Sequence, residues 1–345
     1  MRIAHVIWGL GTGGAETMLV DIVNIQVKTE TVALAAVNDI VDDSLLQKID
    51  ERCTVKLLRR KIGSRSPLPW IKLNLFLFSF CPDIIHFHLE GMRKMVFHPA
   101  PKVFTIHNAY SSNKEYPGYQ ALYAISDGVK DYTKQQGFDA ITIWNGIDTS
   151  KIKTKNILSL NRNRVFNLVC VGRLRFIHKG QDILVKALKL LQEDYLTNFH
   201  LDFIGDGESR NDLIKMISDY GLQDYITLLG QRGRDYIYEH LCDYDLFILP
   251  SRSEGFGLTV AEAMCAKVPV LISDLEGPMG VIDNGRLGLS YKSEDSRDLA
   301  LKIRLFIEKG YSKEKTDEAY QYAVKHFDIS CTANQYIIEY KKVLK

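Results

Sequence analysis

The sequence predicts an α/β protein made of two doubly wound parallel-sheet domains, and three observations carry that reading. The chain has 345 residues, long for one domain and comfortable for two of roughly 150 to 200 each. Short runs rich in Val and Ile alternate with longer amphipathic stretches, the pattern of parallel strands joined by crossover helices. These runs fall into two series, separated by the polar, basic stretch 149–165 (TSKIKTKNILSLNRNRV), which reads as a linker.

Taken in order, the first series places strands near 2–8, 31–37, 54–58, 84–88, 102–107, 122–125 and 140–144. The second places them near 166–172, 200–205, 226–229, 245–249, 268–272 and 287–291. The stretch 68–80 (LPWIKLNLFLFSF) is broken by Lys72 and Asn74 and falls short of the roughly 20 apolar residues that span a bilayer, so it reads as a half-buried helix. Residues 311–345 hold two segments of helical periodicity, EKTDEAYQYAVKHF and ISCTANQYIIEYKKVL, and the last is free to pack back onto the first domain.

Composition excludes several classes. The formal net charge of +2 gives no global field for nucleic acid, so any basic surface is local. The six cysteines (Cys53, Cys81, Cys170, Cys242, Cys265 and Cys331) form no C-x-x-C pair and have no His at metal-ligand spacing. They read as reduced, mostly buried thiols of a cytoplasmic protein. Met1 runs straight into the apolar pattern of Ile3 to Trp8, without the features of a secretory leader.

The sharper chemistry lies in the second domain. EGFGLTVAE (254–262) holds two glutamates with seven residues between them, the first beside a Gly-Phe-Gly loop and the second inside a helical run. Gly255 to Leu258 therefore sit at a helix N-terminus, whose unpaired N–H groups suit an anion. Glu254 is poised for sugar hydroxyls and Glu262 for a ribose, because a carboxylate accepts two hydrogen bonds from a vicinal diol. Upstream, VGRLRFIHKG puts Arg173 directly after a strand and Lys179 just before a helix, two cations able to neutralise a diphosphate. Gly205-Asp206-Gly207-Glu208 forms a tight turn at another strand end, on the side where parallel sheets bind ligands.

Together with the N-terminal GTGGAE, these motifs resemble glycosyltransferase family 4, retaining enzymes of the GT-B fold. The resemblance runs over nearly the whole chain. It implies two Rossmann-like domains facing across a cleft: 1–155 on the acceptor side, completed by a crossing helix at 329–345, and 156–328 for the nucleotide sugar. It implies that Arg173 and Lys179 bind the diphosphate, Glu254 the transferred sugar and Glu262 the ribose, with the N–H groups of Phe256, Gly257 and Leu258 cradling phosphate and sugar. His107, in KVFTIHN, matches the family's histidine near the reaction centre and is expected to orient rather than to transfer a proton. Catalysis would then rest on His107, Arg173, Lys179 and Glu254. Ser126 and Asn145 fit loops flanking the acceptor side.

The resemblance further implies a front-face mechanism without cofactor, in which a UDP-sugar donates to a hydroxyl of a glycan or lipid-linked glycan during assembly of cell-surface polysaccharide such as capsule or lipopolysaccharide. The D-x-D of Asp243-Tyr244-Asp245 precedes an apolar strand, LFILP, instead of ending one, so metal-independent transfer is expected. The chain departs from the family at Pro278-Met279-Gly280, where a Pro-x-Glu is usual, and no contact carries over to Gly280.

In the first domain, Gly9, Gly11 and Gly14 of WGLGTGGAE match G-x-G-x-x-G. Alone they would suggest an NAD-dependent oxidoreductase, with Asp39 as a displaced ribose acid. A sugar-nucleotide epimerase or non-catalytic binding domain on the same fold is the other alternative. The preferred reading is that backbone at Gly13, Gly14 and Ala15 approaches the donor, with Glu16 starting the helix under its N-terminal dipole. His86 and His88 share one strand face, and without a third ligand at useful spacing they read as core or rim histidines. Lys56, Arg59, Arg60, Lys61 and Arg65, with no acid among them, form a cluster suited to an anionic membrane surface, which would make the enzyme peripheral.

Overall fold

The run TVALAAV (31–37) is apolar at nearly every position, which demands a strand covered on both faces. It is one: in this computed structural model, which describes residues 1–11, 13–108, 113–155 and 164–345, residues 32–37 are all buried within a strand. Thirteen strands are assigned among the described residues. They are β1 (Arg2–Ile7), β2 (Thr31–Asn38), β3 (Thr54–Arg60), β4 (Ile84–Phe87), β5 (Lys102–Ile106), β6 (Ala121–Ala124), β7 (Ile141–Thr142), β8 (Phe166–Val171), β9 (Phe199–Ile204), β10 (Ile226–Gly230), β11 (Leu246–Leu249), β12 (Val270–Ser273) and β13 (Leu289–Tyr291).

The first seven form one sheet in the order β3-β2-β1-β4-β5-β6-β7, and the last six another in the order β10-β9-β8-β11-β12-β13. Every strand pair is parallel. Each sheet thus reverses its winding once, between β1 and β4 and between β8 and β11. At such a switch point the loops leaving neighbouring strands turn to opposite faces and open a crevice at the carboxyl ends. The strand expected over 140–144 is only two residues long, at the sheet edge.

The chain divides into two units, Met1–Ile147 with Phe327–Lys345, and Asp148–His326. The division falls after Ile147 and not at 155, because the intervening segment bonds to the second unit. Lys153 N donates to Tyr238 O, Lys155 N donates to Ala266 O, and Lys155 Nζ donates to the Asp245 carboxylate. Of the expected linker, residues 156–163 lie outside the described residues.

In the first unit the terminal helix Ile329–Val343 is part of the core, where Ala333, Tyr336 and Tyr340 pack with Ile3, Met18 and Ile22. Its start is fixed three ways: Asp328 caps it through Ser330 N, Ile329 N donates to Ile147 O, and Ile147 N donates to Phe327 O. In the second unit Phe166, Leu201 and Phe203 pack against Leu184, Leu188, Leu299 and Ile303 of two covering helices.

Candidate functional site

The second sheet reverses its winding between β8 and β11, and the loops leaving these two strands carry the motifs singled out from sequence. After β8 the chain turns through Gly172 and Arg173, then makes the short helix Phe176–Lys179 and the long helix Gln181–Glu193. Gly180 joins the helices with φ of +62°, and a Cβ there would lie 2.0 Å from Pro250 O. Only glycine allows this contact with the loop leaving β11.

That loop is pinned by five hydrogen bonds, three to the Phe176–Lys179 helix and two to Asp182 in the helix that follows. Arg252 N and Ser253 N both donate to His178 O, at 2.8 and 3.1 Å. The Arg252 guanidinium donates to Phe176 O at 2.6 Å and, as a fork, to both carboxylate oxygens of Asp182 at 2.6 and 2.9 Å. Burial would push the Asp182 carboxyl up, but the Arg252 fork and Lys186 outweigh it and hold it below its ordinary range. The result fixes Lys179 beside Glu254, with Nζ 2.5 Å from Oε2 and both side chains partly buried.

Next, Gly257 adopts φ of +100° and precedes the helix Leu258–Cys265, whose first N–H groups have no partner within the helix. Phe256 is buried beneath it, and Glu262, on the second turn, is 9% exposed. The neighbouring helix Glu276–Val281 closes one side: a Cβ on Gly277 would meet Gly255 O at 2.6 Å. Gly280 lies in this helix and offers no side chain.

Arg173 is exposed and makes no ion pair or side-chain hydrogen bond to the described residues. Its backbone is held by the buried Gln181, whose Nε2 donates to Arg173 O at 2.9 Å. The turn after β9 locks against it, since Leu174 N donates to Asp206 O and a Cβ on Gly205 would lie 2.0 Å from Gly172 O. An exposed guanidinium on a fixed backbone, a Lys–Glu pair and a helix start thus share one end of one sheet.

The D-x-D carboxylates are committed elsewhere. Asp245, at the start of β11, accepts from Lys155, Arg164 and Asn167 N. Burial would raise its pKa, but these partners overcome it and lower it. Asp243 pairs with His240 at 2.9 Å.

In the first unit Gly9 of the fingerprint has a packing explanation. The loop after β1 bridges Leu10 to Val41 and donates from Leu10 N to Ile40 O, and a Cβ on Gly9 would meet Ile40 O at 2.9 Å. Gly13 precedes the helix Gly14–Gln26, and a Cβ there would lie 2.1 Å from a Glu16 carboxylate oxygen. Glu16 therefore folds back over the helix start that it was expected to initiate. Burial raises its pKa, outweighing the hydrogen bond from its own N–H. Gly14 is exposed and Ala15 half-buried.

His107 follows β5, and its buried Nε2 finds no partner among the described residues. Burial pushes its pKa down to about 4, so the imidazole is neutral at pH 7. Ser126 is buried and caps the helix Asp127–Gln135 by accepting from Val129 N. Asn145 is buried where the terminal helix returns, and its Oδ1 has no partner among the described residues.

One expectation needs correction. His86 and His88 do have a third imidazole beside them: His5, brought alongside by the β1–β4 register, and the ligand atoms of the three lie within 4.8 Å of one another. Their nitrogens are largely spent on protein partners. His5 bonds His88 at 2.9 Å and Gln26 at 2.7 Å, while His86 bonds Tyr340 at 2.6 Å and Thr105 at 2.7 Å. The cluster ties three strands to two helices as a core hydrogen-bond network.

Comparisons with known proteins cover both units. Residues 153–326 match the family Glycosyl transferases group 1, and residues 12–151 match Glycosyltransferase Family 4. An uncharacterized glycosyltransferase of Methanocaldococcus jannaschii is 32% identical over 168 residues, 48% of this chain and 42% of that protein, so the chain spans less than half of it. The putative teichuronic acid biosynthesis glycosyltransferase TuaC of Bacillus subtilis is 27% identical over 294 residues, 76% of this chain and 72% of that protein. Among solved structures, Anabaena Alr3699/HepE in complex with UDP and glucose superposes with a TM-score of 0.80 at 23% identity, covering 99% of both chains. That likeness identifies the fold as GT-B.

Proposed function

Because the chain belongs to the glycosyl transferases group 1 family, we propose that it is a retaining, metal-independent transferase. It moves a sugar from a UDP-sugar to a hydroxyl of a glycan or lipid-linked glycan in cell-surface polysaccharide assembly. The observation that carries the reading is the Lys179–Glu254 pair, held at 2.5 Å where the second sheet reverses its winding. Without donor, the two charges satisfy each other. A bound diphosphate draws Lys179 away, and Glu254 is released to accept from the sugar hydroxyls. One pair thereby reads both halves of the donor.

Arg173 meets the diphosphate as a planar fork, and the N–H groups of Phe256, Gly257 and Leu258 add a helix-end dipole. In the transfer step the bond from the anomeric carbon to the phosphate oxygen breaks, and the acceptor oxygen bonds to the same face. The acceptor proton passes to the departing phosphate. Fixed cations stabilise the charge that develops there. Glu262 holds the ribose. From the first domain, His107 orients the sugar as a neutral imidazole and Gly13, Gly14 and Ala15 offer backbone. Ser126 and Asn145 support the acceptor side. UDP is favoured because HepE was crystallised with it, and polysaccharide assembly because TuaC is assigned to teichuronic acid biosynthesis.

A thermal-shift screen of UDP, GDP, NAD and UDP-sugars tests this reading, since a ligand of the folded state raises its stability by mass action. UDP and a UDP-sugar should raise Tm for the wild type and not for Lys179→Ala. A shift with NAD alone would overturn the reading.

A further inference from the structure

We propose that the outer face of the helix Leu68–Phe80, with the basic segments beside it, docks this protein on an anionic bilayer surface. The helix turns Trp70, Leu73, Asn74, Leu77 and Phe80 into the first unit. Its opposite face carries Leu68, Ile71, Leu75 and Phe78, at the i, i+3, i+7, i+10 spacing of a single stripe, and each is more than half exposed. A helix apolar on all sides is normally covered on all sides. Here the protein covers only one.

The stripe extends beyond the helix. Asn74 ties the following segment to it, its Nδ2 donating to Met95 O and its Oδ1 accepting from Phe97 N at 2.7 Å. This holds Phe97, 74% exposed, beside the helix, while Phe78 packs on His98 with ring centroids 5.0 Å apart. Ile62, before the helix, is 68% exposed. Contiguous exposed apolar surface of this kind marks an interaction site.

Charge selects the occupant. Residues 54–82 contain Lys56, Arg59, Arg60, Lys61, Arg65 and Lys72 and no acid, and residues 93–102 contain Arg93, Lys94 and Lys102 and no acid. Arg60 is committed within the unit, to Asn38, to Ser64 O and over the Trp8 ring, and Lys56 is half-buried in β3. Arg59, Lys61, Arg65, Lys72 and Lys94 are exposed. Apolar side chains rimmed by cations match the boundary between acyl chains and anionic headgroups. A second copy on the same face would set cations against cations. At thirteen residues the helix is too short to cross a bilayer, and among the described residues none is long and apolar enough to do so. It lies in the interface.

The inference stands on this surface and not on the transferase reading, although a lipid-linked acceptor would be reached from it. The test is flotation of the full chain with phosphatidylcholine vesicles, with and without phosphatidylglycerol. Two variants are compared, one with Ile71, Leu75 and Phe78 changed to Ser, the other with Arg59, Lys61, Arg65 and Lys72 changed to Gln. The wild type should float with phosphatidylglycerol vesicles and be released by salt. Each cation near the surface is worth about a fivefold change in partitioning, so the second variant should lose on the order of a hundredfold or more. The first should fail to float. Both should keep the wild-type unfolding transition and the UDP thermal shift, because the altered side chains are exposed and remote in sequence from the donor motifs. Failure of the wild type to float, equal flotation of all three proteins, or a dimer that the Ser variant dissociates would overturn the proposal.

Discussion

The buried histidines should make the first unit acid-labile, and His5 allows the size of the effect to be worked out. Its side chain is fully buried, with one ring nitrogen on His88 and the other on Gln26. Burial lowers its pKa from 6.5 to about 4, against a smaller upward pull from Gln26. Between those values the unfolded chain holds a proton that the folded chain does not, so stability rises with pH across this window and is lost as pH falls through it. A displacement of about 2.5 on the pH scale corresponds to about 3 kcal/mol, a large share of a domain's net stability of about 5–15 kcal/mol. His86 and His88 are lowered by the same cause, burial, and by the neighbouring imidazoles, and act in the same direction.

The assay is urea unfolding followed by tryptophan fluorescence. All three tryptophans, Trp8, Trp70 and Trp144, lie in the first unit, so the signal reports that unit alone. Unfolding free energy measured from pH 7.5 to 4.5 should fall with a slope approaching about 1.4 kcal/mol per pH unit for each proton. In His5→Gln the slope between about pH 6.5 and 4.5 should be shallower by about one proton. An unchanged slope in that variant would refute the assignment of His5 as a buried neutral group.

Other consequences are more local. Gly180→Ala should destabilise the second unit by at least about 2 kcal/mol by calorimetry, since it combines a left-handed backbone with a Cβ 2.0 Å from Pro250 O. It should also abolish the UDP thermal shift by displacing Lys179. Asp182→Asn removes the carboxylate that receives the Arg252 fork and should cost about 1–3 kcal/mol. It should weaken donor binding in calorimetric titration although Asp182 itself touches no donor. Asp328→Ala removes the cap of the terminal helix and should lower the fluorescence-monitored stability by about 1 kcal/mol.

The parts of the fold set by local pattern were legible in sequence. β2 and β8 are apolar runs of strand length, and the Gly-Phe-Gly before Leu258 marks a helix start by its composition alone. The Asp245 carboxylate lies just before a strand, as its place in the sequence indicates, and its three donors explain what holds it there. What sequence could not reveal were the partners that only the sheet order brings together. His5 stands 81 residues from His86, and only the β1–β4 register sets them side by side. Arg252 and Asp182 are 70 residues apart, and nothing local marks either as the partner of the other. Gly9 looked like part of a nucleotide fingerprint because spacing does not reveal that Ile40 lies against it. The outer stripe of Leu68–Phe80 was invisible for a related reason: an apolar helix gives no sign of which face the core will leave open.

Sugar transfer from a radiolabelled UDP-sugar, compared among wild type, Lys179→Ala and Glu254→Gln, tests the central claim most directly. The account predicts that either substitution lowers turnover by at least about a hundredfold, since each removes a fixed charge from the developing transition state. It also predicts that both variants keep the wild-type fold by circular dichroism. Transfer at the wild-type rate in both variants would contradict it.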